Sequence, residues 1–326
     1  MLVSFYIITF NHSQYIEEAL SSALSQTYSP LQIAISDDAS TDDTCQKIEH
    51  LLQEYQGPHK ITYLKNKKNL GIARHITSVL RKCEGEWIIA SAGDDISENN
   101  RVELIIDQYR KNPELLLIQS YLREIDGDGK GLYVNTLNDD NRDAQNRLVR
   151  WSASERANGV SIPHTHGAGF AYSRVLLDRF GIELSEDIMF EDNVFDWRAE
   201  MLSAIGMIRI PLVRHRNHSG QATRADFSSR RHRIDLMKRI AASDIATTRL
   251  NIDDLSLLHE ERGISDETFS SCMKWLQHRL SFMKMKYDVL SAHWPMRYYT
   301  LLRYMLSDPP KEFMFSRRDK YSLLLP

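Results

Sequence analysis

Glycine-rich phosphate loops, paired cysteines, long apolar runs and a surplus of either charge are all missing from this chain of 326 residues. Each absence removes a class of protein. The three cysteines, Cys45, Cys83 and Cys272, stand far apart with no metal-like spacing. That argues against a disulfide framework or a zinc site and suits a reducing cytosol. A net charge of −3 gives no electrostatic case for nucleic acid. No apolar run approaches the roughly 20 residues of a membrane-spanning helix, so a membrane contact would be peripheral. The N-terminus, Met1 to Ile8, is apolar but short and lacks a basic leader, which predicts a first strand and not a signal peptide. No Gly-x-Gly-x-x-Gly follows any strand, and Thr9-Phe10-Asn11-His12-Ser13 after the first one holds neither glycine nor lysine. Dinucleotide-binding oxidoreductases and nucleotidyltransferases are disfavoured on that ground. Internal repeats and low-complexity tracts are absent as well.

What the chain does have is alternation. Val3 to Ile8 is nearly all apolar, as a strand buried on both faces is. Asn11 or Ser13 is placed to cap a helix carrying Ile16, Leu20, Ala23 and Leu24 at helical spacing, and Pro30 stops it. Leu31 to Ile35 is a second strand, followed by caps and acids at Ser40 to Asp43 that open a helix reaching about Tyr55. Ile61 to Leu64 is a third strand, Ile72 to Lys82 a helix, and Trp87 to Ala90 a fourth strand. Strand and helix alternating in this way, with right-handed crossovers, predict an α/β fold with a doubly wound, mostly parallel sheet.

Two of these strands end in paired carboxylates: Asp37-Asp38 after the second, and Asp94-Asp95 after the fourth. Parallel strands share one carboxyl end, which is where an open α/β sheet binds ligands. Hard oxygen ligands at such a mouth suit a divalent cation that also grips a phosphate. Gly93-Asp94 is also an ordinary turn signal, and Asp37-Asp38 could merely begin a capping turn.

Beyond residue 100 a helix from Arg101 to Lys111 and a strand from Leu115 to Ile118 are expected. Residues 126–146 turn polar; Asp126 to Gly129 lacks the ligand spacing and closing Glu of a calcium loop, so a loop over the site is expected. Trp151 to Ala157 reads as a short helix, and His164 and His166 fall either on an acceptor pocket or on a surface loop. Glu191 and Asp192 sit at the start of a helix carrying Val194, Trp197 and Met201, where acids also serve as dipole partners. Ile208 to Val213 is a strand with a basic tail, Arg214 to His218. From about Phe227 the chain reads as helices, near 228–249, 266–292 and 295–307, the second capped by Ser265 and Asp266 with a stripe from Phe269, Cys272 and Leu276 through Leu280, Met283, Tyr287 and Leu290. Aromatics mixed with Arg and Lys between Tyr298 and Tyr321 suit an interfacial membrane contact, a helix docked on the catalytic domain, or a homodimer partner.

The ordered set Val3 to Asn11, Gln26-Thr27-Tyr28, Ile35 to Asp42, Asn69 to Ala73, Gly85 to Ile89, Gly93-Asp94-Asp95, Glu191-Asp192 and Arg216-Asn217-His218 resembles the family 2 glycosyltransferases. The resemblance covers about residues 1–223 and implies a GT-A fold, with a nucleotide-sugar half near 1–100, an acceptor half near 101–223 and a helical region at 224–326. It implies an inverting enzyme that moves sugar from a UDP- or dTDP-sugar to a glycan or lipid-linked acceptor, as in bacterial surface polysaccharide synthesis. The setting it implies is the cytosol, with peripheral contact at the inner face of the membrane. Thr9, Phe10, Asn11 and Asn69 would border the nucleotide, and Asp38 or Asp37 would accept from the base. Asp95 and Asp94 would bind Mn²⁺ or Mg²⁺, with Asp94 also reaching the ribose or a metal-bound water. Asp192 would be the general base, assisted by Glu191, while Arg216 and His218 would hold the diphosphate. Where the family often has Asp-x-Asp-Asp, this chain has Ala92 in place of the first acid. That gives some footing to the alternative of a non-catalytic sugar-nucleotide-binding or scaffold protein.

Overall fold

The computed structural model describes residues 1–136, 152–158, 166–221, 230–292 and 296. The chain forms two compact units, one of Met1–Glu186 with Glu191–His218 and one of Asp187–Phe190 with Ser219–Pro326.

The first unit is built on strands β1 (Val3–Thr9), β2 (Leu31–Asp37), β3 (Lys60–Lys65) and β4 (Trp87–Ala92), linked by helices α1 (Ile16–Leu24), α2 (Thr44–Glu54) and α3 (Ile72–Leu80). They pair in parallel in the order β3-β2-β1-β4. Every residue of β2 is buried, as two helix-covered faces require. Phe5, Ile7, Ile33, Ile35, Trp87 and Ile89 form the centre of the core, each such side chain contributing about 1.5–3 kcal/mol through burial. One capping expectation is corrected. Helix α1 begins at Ile16 with no side-chain cap, because Asn11 and Ser13 are drawn sideways to the β2–α2 turn. Asn11 Oδ1 accepts from the Thr41 N–H (2.8 Å), and the Ser13 N–H donates to Asp42 Oδ2 (3.1 Å).

The second half of the sheet is mixed. After β5 (Ile96–Ser97) and α4 (Arg101–Lys111) come β6 (Leu117–Ile125), β7 (Gly131–Asn135), α5 (Ala153–Ala157), β8 (Phe170–Ser173), α6 (Arg174–Phe180), α7 (Asp192–Met201) and β9 (Ile205–Arg216). Strand β8 lies antiparallel between β4 and β6, and β9 runs parallel to β6. The β6–β9 register shifts at Tyr121, which pairs with Pro211. Proline cannot donate to the ladder, and a bulge accommodates it. Past the bulge, β5 pairs antiparallel with β9, Ile96 opposite Arg214. The chain that leaves Asp94-Asp95 is thereby stitched to the chain that carries Arg214 to His218.

The loop expected at 126–146 is corrected over its first part, since Gly131–Asn135 is a strand paired with β6. Asp126 closes the intervening turn: its Oδ1 accepts from the N–H groups of Asp128 (3.1 Å) and Lys130 (2.8 Å), and Gly129 takes φ +83°. Residues 137–146, Trp151 and His164 lie outside the described residues. In the second unit α8 (Arg230–Glu260) runs well past residue 249, and α9 (Asp266–Ser291) is capped by Ser265, whose Oγ accepts from the Thr268 N–H at 3.2 Å. Its buried face follows Cys272, Leu276, Phe282, Met285, Val289 and Leu290; Tyr287 of the expected stripe is exposed. The helix expected at 295–307 and the aromatic-basic tail lie outside the described residues. Among the described residues no helix is long and apolar enough to cross a membrane, and all three cysteines are free and buried.

Candidate active site

The carboxyl ends of β1, β2 and β4 lie side by side, Thr9 in register with Asp37 and Ile8 with Ala92. Asn11 leaves β1 with φ +54°, a left-handed conformation that asparagine tolerates, and its N–H donates to Ser40 Oγ at 2.8 Å. Asp37 is fully buried and accepts from the N–H (2.9 Å) and hydroxyl (2.5 Å) of Ser40. Asp38 is also buried and accepts from Asn66 Nδ2 (2.9 Å), the Leu70 N–H (3.0 Å) and the Gly71 N–H (3.1 Å). Its carboxylate thus holds the 66–71 loop in place, with Asn69 Oδ1 taking a share of the Gly71 N–H at 3.0 Å. Phe10 stands exposed at the tip of the first strand.

Asp94 and Asp95 occupy the next turn, both buried. Gly93 lies so close to β1 that a Cβ there would sit 2.5 Å from Thr9 Oγ1 and 2.8 Å from His12 Nδ1. Asp94 Oδ2 accepts from His218 Nε2 at 3.0 Å, and His12 Nε2 lies 4.0 Å from the same oxygen. Burial followed by the neighbouring Asp94 charge pushes the Asp95 carboxyl up to about 7, while its Oδ1 accepts from the Arg216 N–H at 3.0 Å. Arg216 faces inward. Its guanidinium donates to the Asp94 carbonyl (3.0 Å) and the Gly127 carbonyl (2.9 Å), pairs with Glu18 and covers the Tyr15 ring at 4.8 Å. With those donors engaged by the protein's own groups, Arg216 clamps the acid turn to the 126–129 turn.

Glu191 and Asp192 open α7, as the sequence places them. Burial, then the adjacent Asp192, pushes the Glu191 carboxyl up to about 8. Asp192 Oδ2 accepts from the Gly167 N–H at 3.1 Å. Gly167 to Gly169 forms a 3₁₀ turn packed so closely that a Cβ on Gly167 would lie 3.1 Å from that of Asp192. The same turn meets Arg101, which donates to the carbonyls of Ala168 (2.9 Å) and Phe170 (3.2 Å) and to Ser97 Oγ (2.9 Å).

A further group is one the motifs do not reveal. Glu124 of β6 accepts from Asn217 (2.7 Å) and Asn135 (3.0 Å) and pairs with His215 Nδ1 (2.8 Å), whose ring meets that of His166 edge-on at 4.6 Å. Burial opposes the Glu124 charge, but these hydrogen bonds outweigh it and hold the carboxyl at about 2. Burial likewise opposes the His215 charge, and Glu124 overcomes it, lifting the imidazole to about 9. Relative to ordinary values of 4.5 and 6.5, one group is depressed and the other raised. The pair therefore stabilises the fold fully between those values, and the gain is lost as pH falls through about 2 or rises through about 9. Glu124→Gln is expected to lower the melting temperature by roughly 5 °C near pH 6. The deficit should shrink above pH 9 in a thermal melt series, and an equal deficit at pH 6 and pH 10 would remove the ion pair as its cause.

A divalent cation fits the Asp94-Asp95 turn in one respect that the geometry makes plain. Asp95, buried beside the Asp94 charge, is raised to about 7, and a dication would relieve both its burial and that repulsion. Among the described residues no three His, Cys, Asp or Glu side chains converge as a complete ligand set. Magnesium-type sites commonly use one or two carboxylates and take their remaining oxygens from substrate phosphates and water.

A sequence model described as glycosyl transferase family 2 matches residues 4–181. The chain belongs to that family. The chondroitin synthase of Escherichia coli is 38% identical over 128 residues, a match spanning 39% of this chain and 18% of the synthase. The chain spans well under half the length of the first curated relatives it matches. Among solved structures, S. aureus TarS 1-349 in complex with UDP-GlcNAc superposes with a TM-score of 0.58 at 14% identity, covering 94% of this chain and 92% of that one. The mannosyltransferase PcManGT from Pyrobaculum calidifontis, in complex with GDP-Man and Mn²⁺, gives 0.55 at 16% identity, covering 99% and 84%. These likenesses establish a GT-A fold, a mixed sheet flanked by helices, and the family makes the chain a glycosyltransferase with relatives in bacterial polysaccharide synthesis.

Family membership leaves His12, Arg101, Glu124 and His215 without a role, and the motifs did not mark them. His12 had one available signal, its place beside Asn11 on the loop that ends β1.

Proposed function

We propose that this glycosyltransferase 2 chain inverts configuration as it moves sugar from a UDP- or dTDP-sugar to a hydroxyl of a glycan or lipid-linked acceptor, with Asp192 as general base. The observation that carries this reading is the joining of two acidic pairs through one small turn. Gly167 holds Asp192, and its neighbour Ala168 is tied through Arg101 to Ser97, two residues past Asp95. A base and a leaving-group site on opposite sides of a sugar are what a single displacement needs.

In this reading the donor's nucleoside lies along Thr9, Phe10 and Asn11 and the 66–71 loop that Asp38 and Asn69 brace. Its diphosphate lies over Asp94-Asp95, with His218 beside it. Asp95 and Asp94 would hold Mn²⁺ or Mg²⁺, which when bound supplies positive charge against the departing diphosphate. Arg216 acts by position, fixing the acid turn from behind. With Glu191 retaining its proton at neutral pH, proton acceptance from the acceptor hydroxyl falls to Asp192. The UDP-GlcNAc bound by TarS and the Mn²⁺ and GDP-Man bound by PcManGT support a nucleotide-sugar donor used with a cation. A lipid-linked acceptor would place the enzyme at the inner face of the membrane.

A thermal-shift screen tests the donor site, because a ligand specific to the native state raises the melting temperature by mass action. UDP, dTDP and their sugars are expected to raise it, and more so with Mn²⁺. If no nucleoside diphosphate shifts the transition with or without cation, the donor reading falls.

A further inference from the structure

The buried Arg101 guanidinium has no part in the reaction outlined above. It opens α4, is fully buried, and among the described residues has no carboxylate within ion-pair distance. Nη1 donates to Ser97 Oγ (2.9 Å), Nη2 to the carbonyls of Ala168 (2.9 Å) and Phe170 (3.2 Å), and Nε has no partner. The group stands 5.8 Å from the centre of the Phe5 ring. Burial, opposed by the nearby Asp95 charge, pulls its pKa down to about 10. A buried cation held by neutral oxygens is an expensive way to fill space that an apolar side chain would fill at less cost.

The placement of its arms accounts for it. Ser97 lies two residues beyond Asp95, in the short β5 strand. Ala168 follows Gly167, whose N–H is on Asp192. The 3₁₀ turn at Gly167–Gly169 makes few bonds of its own: the Gly169 N–H donates to the His166 carbonyl at 2.9 Å and the Ala168 N–H to His166 Nδ1 at 3.3 Å. Its inward carbonyls need a donor, and a planar guanidinium serves both while its other arm grips Ser97. A lysine ammonium has no rigid fork and cannot impose the same spacing.

We propose that Arg101 is a positioning residue that sets the distance between the Asp94-Asp95 turn and the base Asp192. The proposal rests on the functional reading above, in which these two sites flank the reacting sugar. In that geometry a misplacement of about 1 Å costs roughly 100-fold in rate.

The test uses Arg101→Lys in the full-length protein. UDP affinity in the presence of Mn²⁺ is expected to stay within about threefold, while kcat for transfer falls at least about tenfold and amide exchange across residues 167–170 accelerates. A kcat within twofold of the parent overturns the proposal, as does a UDP affinity that falls in step with kcat. Should Arg101→Lys fail to fold, Ser97→Ala removes one arm's partner and keeps the cation. That variant is expected to lose a few-fold in kcat at unchanged UDP affinity, and an unchanged kcat overturns the proposal. Asp192→Asn is measured alongside. If it still transfers sugar, the base reading itself falls; if it is inactive while Arg101→Lys is unaffected, only the positioning role falls.

Discussion

Asp192→Asn is expected to transfer sugar at least about 100-fold more slowly than the parent, with UDP affinity unchanged within a few-fold. The asparagine keeps an oxygen that accepts from the Gly167 N–H, now 3.1 Å away, so the turn that seats the side chain is retained. What is lost is the capacity to take a proton as the acceptor oxygen attacks. Steady-state kinetics paired with UDP titration separates the two properties. Turnover close to the parent's would remove Asp192 as base and direct attention to Glu191, whose carboxyl is pushed up to about 8 and which would then act only above neutral pH.

The second large effect is expected from Asp95→Asn. Asparagine still offers an oxygen to the Arg216 N–H, which now lies 3.0 Å from Asp95 Oδ1, so the clamp on the turn survives. The charge that would help hold a cation does not. UDP affinity measured with Mn²⁺ is expected to fall roughly 10- to 100-fold, converging on the value measured in EDTA, while affinity in EDTA stays near the parent's. If Mn²⁺ strengthens UDP binding equally in mutant and parent, Asp95 is not a ligand. The same titration with Asp94→Asn divides the work between the two acids, a division that Ala92 makes necessary by leaving no third carboxylate at the end of β4.

The first four strands and the helices between them were legible because burial on both faces leaves a nearly continuous apolar signature, as in Leu31 to Ile35, broken by Gln32 alone. Their terminal acids were legible for a related reason, since a carboxylate has no packing purpose at the end of such a strand. The second half was harder to read. The β6–β9 pairing slips at Tyr121 opposite Pro211, so no single alternation describes either strand. Strand β7 is solvent-exposed along Leu132, Tyr133 and Val134, and an exposed hairpin arm reads as loop. Partners were harder still. Glu124 and His215 are 91 residues apart in the chain and carry no local sign of each other. Arg101 reads as an ordinary first residue of a surface helix, because what buries it is the distant 168–170 turn. Arg216 reads by resemblance as a diphosphate holder, yet three segments of the chain, at residues 15–18, 94 and 127, consume its donors and cover its face.

The lateral ties between the first two strand ends carry a consequence for binding thermodynamics. Asn11 to Ser40, Thr41 to Asn11 and Ser13 to Asp42, each a backbone N–H on a side-chain oxygen, bond the β1–α1 and β2–α2 connections into one rim. A nucleoside that settles against that rim meets backbone already immobilised, so the loss of conformational entropy belongs to folding and is not repeated at each encounter. If the proposed donor binds there, rigid-body docking is the natural description, with a dissociation rate set by contacts rather than by loop reordering.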